Sequence, residues 1–353
     1  METKPRDLKY CGVNIDRIKS AHPQIDYRNV VHLLDFITER YKIHLKKDVY
    51  QQEAPWTTNP ILKEFKFTNV RREHDRQTRY LIKNISQNSE LSLREKILNT
   101  VMCRAWNNFD TFHDLGGPWT EEELSDPELK ERVRPLYHKL LKKDPKRMWW
   151  SSAYIQGGCK MAWKSPGLKL REGEFMDTSN KFGDAEKDIP LRPFHIGVWM
   201  SQLDIVDRVL SAKTQEDAFN TIKELRGFSD FLAYQVFVDL TYIEDFPFSE
   251  NEFTVAGPGC KKGLNYIFLD RDGMTYEECI FWIRDNAEKL FKKCKAKGLT
   301  ELKWQPEVLF CDLPIRDRQL NVMSLENCFC ELSKYIRAVT QTGRPRNKYR
   351  GGK

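Results

Sequence analysis

The chain has 353 residues, enough for one large domain or two, and 40% hydrophobic and 12% aromatic residues, as in an ordinary globular protein. No run approaches the roughly 20 apolar residues of a membrane helix, and residues 1–7 are polar with no secretory h-region, so an intracellular protein with no membrane partner is expected. A net charge of +7 favours an anionic partner without identifying it, and nine scattered cysteines with no CxxC pair argue against a disulfide framework and a structural zinc site.

In chain order, residues 27–41 place Val30, Val31, Leu33, Leu34, Phe36, Ile37 and Tyr41 at helical spacing. Residues 67–80, FTNVRREHDRQTRY, also read as a helix at about 100° per residue, with Phe67, Val70, His74 and Leu81 on one side. The opposite arc, roughly 120° wide, holds Asn69, Arg72, Asp75, Arg76 and Arg79. Ser92 and Glu95 form a capping box that opens a helix through Trp106. Residues 116–192 are rich in Gly, Pro and charge and read as an irregular insertion with a few strands. Helical periodicity returns over 193–245. Residues 274–297 make one long helix with a Cys279, Ile280, Trp282, Ile283, Ala287, Leu290 and Phe291 stripe, and Ser324 reads as the N-cap of a helix through Ile336. The expected fold is mainly α. Its parts are an N-terminal helical part over 1–115, the irregular insertion over 116–192, a helical part over 193–342 that completes one composite domain with 1–115, and a basic tail over 343–353.

Several residue groups are suited to chemistry. Arginine's planar fork matches phosphate oxygens, so Arg72 and Arg76, with Arg71 beside them, are candidates for a phosphate grip, and Asp75 for orienting them or accepting a proton. The same arc reads equally as a solvated helix face with local ion pairs. Gln235 and Asp239 lie one turn apart on a very apolar helix, where a carboxylate is costly unless bonded. Asp239 is then either a working base or the partner of an arginine such as Arg72. Gly257-Pro258-Gly259 with Lys261 behind it suits a pyrophosphate approach or a tight turn entering a helix. Asn327, Glu331 and Lys334 share a helix face. The sequence has no Walker A, no Gly-x-Ser-x-Gly, no His-Arg-Asp and no Asp-Phe-Gly, which argues against serine-hydrolase and kinase chemistry. Arg344 and Arg346 begin a tail of five basic residues and no acidic ones, suited to a nucleic-acid backbone or to solubility alone.

Two resemblances add to this reading. Leu225-Arg-Gly-Phe-Ser-Asp-Phe-Leu-Ala resembles the helix–hairpin–helix element of DNA glycosylases, with Gly227 in the turn and Ser229 where a second glycine is usual. That resemblance implies a DNA-glycosylase-like fold and a backbone N–H contact to DNA phosphate. Gly257 stands where such enzymes carry their catalytic aspartate, which argues against base excision. The blocks Trp56-Thr57, 59–62, 67–76, 97–101, 104–107, 225–235, Asp239-Leu240, 256–259, Glu326-Asn327, 331–335 and 343–346 resemble the α-glutamyl/putrescinyl thymine pyrophosphorylases. These amino acid:DNA transferases come from phage genomes, and a related helical domain is joined to 5-hydroxymethyluracil DNA kinases. Membership implies double-stranded DNA with modified thymine as partner and a small amine or amino acid as co-substrate. The reaction implied is displacement of pyrophosphate from 5-pyrophosphoryloxymethyluracil, on a flipped base. Asp75 and Asp239 would then be bases, and Arg72 and Arg76 would stabilise the leaving charge. Asn69, Arg71, Gln235, Gly257, Gly259, Lys261, Asn327, Glu331 and Lys334 would bind substrate, and Gly227, Ser229, Arg344 and Arg346 would bind DNA. A magnesium ion on the pyrophosphate is compatible with this chemistry, and no motif indicates one. A non-catalytic reader of modified bases and a glycosylase or lyase are the alternatives.

Overall fold

The computed structural model describes residues 12–150, 167–169, 175–177, 189–225, 227–300, 320–343 and 348. The chain is mainly helical. It begins α1 (Ile15–Ser20), β1 (Gln24–Ile25), α2 (Tyr27–His44), α3 (Pro60–Glu64), α4 (Arg76–Leu81), α5 (Leu93–Trp106), α6 (Phe109–Asp114), α7 (Glu121–Ser125) and α8 (Leu129–Lys143). The strands β2 (Gly167–Lys169) and β3 (Phe175–Asp177) pair with each other. There follow α9 (Phe194–Gln202), α10 (Ile205–Leu210), α11 (Gln215–Lys223), α12 (Asp230–Leu240), α13 (Pro258–Ile267), β4 (Phe268–Asp270), α14 (Tyr276–Ala296) and α15 (Val322–Val339). The fold divides into two compact units: the first drawn from residues 1–75 and 250–353, the second from residues 76–249. Among the described residues no helix is long and apolar enough to cross a membrane.

In the first unit, α2, α13, α14 and α15 close around one core that includes Phe36, Ile37, Leu264, Ile280, Ile283, Phe329 and Leu332. The apolar stripes seen in the sequence over 27–41 and 274–297 are the faces of α2 and α14 turned into it. β1 and β4 are antiparallel, with Gln24 opposite Asp270 and Ile25 opposite Phe268. α13 crosses α15 very closely. A Cβ on Gly263 would lie 2.0 Å from the Phe329 carbonyl oxygen, and one on Gly259 would lie 2.3 Å from Cys330 Sγ. Residues four apart share a helix face, so this pair of glycines is a packing surface.

In the second unit α5 is the hub, packed on α6, α9 and α12. It starts at the expected place: Ser92 accepts from Glu95 N–H while the Glu95 carboxylate accepts from Ser92 N–H. The rings of Trp106, Phe112, Trp119 and Phe194 meet at centroid distances of 5.1 to 6.4 Å, in the tilted and edge-on geometries that ring quadrupoles favour.

Three expectations fail locally. Residues 67–80 are not one helix: 65–71 run extended, Arg72–His74 is a single 3-10 turn, and α4 begins only at Arg76. Val70, Arg71 and Arg72 are buried in succession, which no amphipathic helix face permits. Asn69 and Asp75 are responsible, because their short side chains compete for local backbone groups. Asn69 N–H donates to Asp75 Oδ1 at 3.2 Å, and Asn69 Nδ2 donates to the His74 carbonyl at 2.8 Å. Residues 116–143 are helical rather than irregular. Thr120 and Glu123 form a capping box for α7, and Leu129, Val133 and Tyr137 make the buried stripe of α8; Gly116, Gly117 and Pro118 punctuate only the entry. Finally, α15 is capped by Asn321, whose Oδ1 accepts from Ser324 N–H at 2.7 Å, so Ser324 is the third residue of the helix and not its cap.

Gly263→Ala should force α13 and α15 apart and destabilise the fold by about 3 kcal/mol, measured as a shift in the denaturant midpoint. Gly298→Ala, at φ +65° with open space around it, should cost only the strain of about 1 kcal/mol expected for alanine in a left-handed position.

Candidate functional site

The extended segment before α4 and the face of α15 together build a buried, charge-rich cluster in the first unit. Phe67 anchors the segment, its ring meeting Phe36 at 5.5 Å and Tyr335 at 6.1 Å. Asn327 Nδ2 donates to Thr68 Oγ1 at 3.0 Å and to the Asn69 carbonyl at 3.1 Å, and Cys328 Sγ reaches the Val70 carbonyl. These tethers hold Arg71 and Arg72 inside the protein, 4% and 5% exposed. Arg71 Nη1 pairs with Glu73 Oε1 at 3.2 Å.

Opposite them is a set of carboxyl groups. Glu326, on the first turns of α15, accepts the N–H of Gly257, the N-cap residue of α13, at 3.2 Å. Burial pushes its carboxyl up to about 7 against the counteracting charge of Arg72 and that N–H. Glu250 accepts from Asn321 Nδ2. Burial and the neighbouring Glu73 push it up to about 7 against Arg71, the Asn321 bond and Arg72. Glu331 is 3% exposed and takes Lys334 Nζ at 2.5 Å. Glu277 accepts from Ala256 N–H at 3.0 Å. Asn69 Oδ1, Glu73 Oε2 and Ser324 Oγ are buried with no hydrogen-bond partner among the described residues, a concentration of unmet polar capacity that invites a ligand. Buried arginines beside carboxyl groups that titrate near neutrality are able to exchange protons while stabilising an anion.

Of the residues singled out in the sequence, Asn69, Arg71, Arg72, Asp75, Gly257, Asn327, Glu331 and Lys334 come together here. Gly259 faces Cys330, whose Sγ would lie 2.3 Å from a Cβ at that position. Lys261 is exposed, its ammonium 5.6 Å over the Tyr276 ring. Five others belong to the second unit. Arg76 is exposed, pairs with Asp110 at 3.2 Å and lies 4.6 Å over the Phe109 ring. Gln235 is 2% exposed within α12. Gly227 turns the chain before α12 at φ +89°, and Ser229 is the N-cap of α12 without a side-chain capping bond. Arg344 and Arg346 lie outside the described residues. The carboxylate of Asp239 is fully buried and held by Arg104, through Nε to Oδ2 and through Nη2 to Oδ1 at 3.0 Å. The same guanidinium donates to Asn107 Oδ1 at 2.8 Å and Thr78 Oγ1 at 3.2 Å. The arginine that pairs with Asp239 is therefore Arg104 and not Arg72, and Asp239 sits in a saturated ion pair.

Glu326 and Glu250 were not singled out by sequence reasoning. Glu326 carried a usable signal: it falls on the apolar stripe of α15 with Val322, Phe329 and Ser333, as Asp239 does on α12. Glu250 lies in a polar loop and carries none. Among the described residues no group of three or more His, Cys, Asp or Glu side chains is arranged to hold a metal ion.

The profile of the family described as "5-hmdU DNA kinase, helical domain" matches residues 28–344. A 5-hmdU DNA kinase of Bacillus phage SP10 is 26% identical over 312 residues, covering 85% of this chain and 44% of the relative. The chain thus spans less than half the length of that relative. No solved structure matches.

Two predictions follow from the buried charges. Asp239→Asn strands the Arg104 cation and should cost about 3–5 kcal/mol of stability, read by chemical denaturation. An Asp239→Leu/Arg104→Met double variant should recover much of that loss. Glu326, raised from 4.5 to about 7, keeps its proton in the folded chain while the unfolded chain releases it. Its contribution therefore weakens folding as pH climbs from 4.5 to about 7, then levels off. Glu326→Gln should remove that part of the fall, so the stability difference between variant and wild type should grow across this window and be flat above it.

Proposed function

The chain belongs to the family of the 5-hmdU DNA kinase helical domain, and from that premise we propose that it is a transferase that modifies hydroxymethyluracil-derived bases in DNA. In this reading an amine, either an amino acid or putrescine, displaces pyrophosphate from 5-pyrophosphoryloxymethyluracil. The observation that carries the reading is Glu326, a buried carboxyl that titrates near neutrality beside Arg72 and the start of α13. The amine nitrogen forms a bond to the exocyclic methylene. The methylene–oxygen bond breaks, and pyrophosphate leaves with the electron pair. The proton lost by the nitrogen passes to Glu326, a base matched to neutral pH. Arg71 and Arg72 offset the charge that develops on the leaving group. Asp75, fixed against Asn69 N–H, is a second candidate base. Asn327 and the Glu331–Lys334 pair line the substrate side. The amine displacement asks for no Walker A, and this chain has none.

For DNA contact the reading assigns the helix–hairpin–helix-like pair α11 and α12. Gly227 makes the turn between them, and Ser229 leaves the first turn of α12 without a side-chain cap, which suits a backbone phosphate. The basic tail with Arg344 and Arg346 adds positive charge, and the modified base would be flipped out of the duplex for reaction. A second reading is a reader that binds the modified base without reacting. It is favoured by the match to the helical part of a longer kinase rather than to the whole of it.

The test is mass spectrometry of nucleosides after incubating the protein with duplex DNA carrying 5-pyrophosphoryloxymethyluracil and a pool of amino acids and polyamines, with and without EDTA. An amine-adduct nucleoside plus free pyrophosphate is the expected result. Glu326→Gln should slow it by about 10²–10⁴-fold and Arg72→Met by about 10²–10³-fold, with DNA affinity retained. Unchanged nucleosides despite tight binding would establish the reader, and free base with abasic DNA would establish a glycosylase.

A further inference from the structure

The C-terminal half of α8 carries a set of charges that plays no part in the chemistry above. Residues 138–147, HKLLKKDPKR, hold five lysines and arginines and one acidic residue. Val133 and Tyr137 turn the opposite side of α8 into the core. Lys139, Lys142 and Lys143 are left on the solvent side, three and four residues apart and so on one face. All three are exposed, as is Lys146 in the turn that follows. Among the described residues none of these four lysines makes an ion pair, whereas other solvent-facing cations do: Lys42 with Glu39, Arg132 with Asp126, Lys292 with Glu288. The one acid of the run, Asp144, accepts the Lys146 N–H at 3.1 Å. The helix dipole favours cations in the last turn only, and like charges four residues apart oppose each other. Helix stability therefore does not call for such a face.

The turn after α8 is pinned to α6. Asn108 Nδ2 donates to the Met148 carbonyl and Thr111 Oγ1 to the Trp149 carbonyl, each at 2.9 Å. Arg147 Nη2 donates to the Asp110 carbonyl at 3.2 Å and to Asp114 Oδ2 at 2.8 Å. Arg76 meets the same Asp110 from the other side chain oxygen, and its own side chain is 73% exposed. That single hydrogen bond uses one of its five donors. The basic run of α8 and the arginine that stands outside the first-unit cluster thus meet around one residue of α6.

We propose that Lys139, Lys142, Lys143 and Lys146, continued by Arg76, form a contact surface for the phosphate backbone of duplex DNA. Lys139 and Lys143 lie about 6 Å apart along the helix axis, which matches about two phosphates of one strand at a rise of roughly 3.4 Å each. Lysines supply mobile point charges suited to a backbone of any sequence, and an arginine fork adds a directed contact. A lipid surface fits less well, because a helix that lies on a membrane buries an apolar face there. The apolar stripe of α8 faces the protein core, and of its leucines only Leu136 is exposed, at 37%. The choice of DNA as the polyanion rests on the DNA-modifying reading above. The surface adds to the α11–α12 turn a contact that is independent of base identity.

The test is the salt dependence of binding between the full chain and a short unmodified duplex, by fluorescence anisotropy. Each phosphate neutralised by a cationic side chain steepens the plot of log K against log salt by about 0.9. The triple variant Lys139→Gln/Lys143→Gln/Lys146→Gln keeps good helix formers at exposed positions. It should bind at least tenfold more weakly at about 0.1 M salt, with a slope shallower by about 2 to 3. Lys289→Gln/Lys292→Gln/Lys293→Gln removes the same charge from an α14 face that also carries Asp285 and Glu288, and should leave the slope unchanged. Because the duplex is unmodified, this readout does not depend on amine transfer; failure of the transferase reading shows instead as absent adduct with the salt dependence intact. The proposal is overturned if wild type shows no saturable binding, if the α8 triple variant keeps the wild-type slope, or if the α14 triple variant loses as much. It is also overturned if the α8 variant loses binding to phosphatidylserine vesicles and not to duplex, which would make the face a membrane contact.

Discussion

The close crossing of α13 over α15 is the constraint on which the candidate site depends. Two glycines one turn apart remove the side chains that would hold the helices at an ordinary separation. The approach brings the N-terminus of α13 onto the carboxyl of Glu326, and it keeps Glu326 out of water. Burial then raises that carboxyl toward neutrality, while Arg72 and the Gly257 N–H limit the rise. The geometry of a packing contact thus becomes a proton affinity. The two glycines act on the candidate site through helix packing.

Two buried arginine–carboxylate arrangements in this protein make an instructive contrast. Arg104 and Asp239 meet through two parallel bonds, and the remaining guanidinium donors go to Asn107 and Thr78. Such a pair holds helices α5 and α12 together and has no capacity left over. Around Arg71 and Arg72 the count is uneven. With Glu331 held by Lys334, Glu73, Glu250 and Glu326 still outnumber the two guanidiniums, two of these carboxyls titrate near neutrality, and Ser324 and Asn69 retain unmet oxygens. A saturated pair is a structural fitting. An unsaturated cluster of the same residue types is where a substrate can enter the balance.

Much of the secondary structure was legible because it rests on local physics. The capping box of Ser92 and Glu95 and the stripes of α2 and α14 were readable as period and cap alone. The segment 67–80 was not, because its helical periodicity is real in composition but loses to side-chain hydrogen bonds from Asn69 and Asp75 and to tethers from Asn327, 258 residues away from Asn69 in sequence. The site was half legible. Arg71, Arg72, Asn327 and Glu331 were identified by type and pattern. Asp239 drew attention for a sound reason, a charge on an apolar helix, but the partner that neutralises it is 135 residues distant. Glu326 met the same criterion on α15.

By itself the sequence determined the helical class, the bounds of α2, α5 and α14 to within a few residues and the inventory of arginines and carboxylates available for chemistry, because propensity, capping and hydrophobic period act over a few residues. Only the tertiary structure decided which charges are neutralised and which remain poised. That choice depends on burial and on long-range neighbours: Arg104 against Asp239, Gly257 against Glu326, Asn321 against Glu250. Electrostatic free energy in a protein interior is set by distance and desolvation, and neither is written in the local sequence.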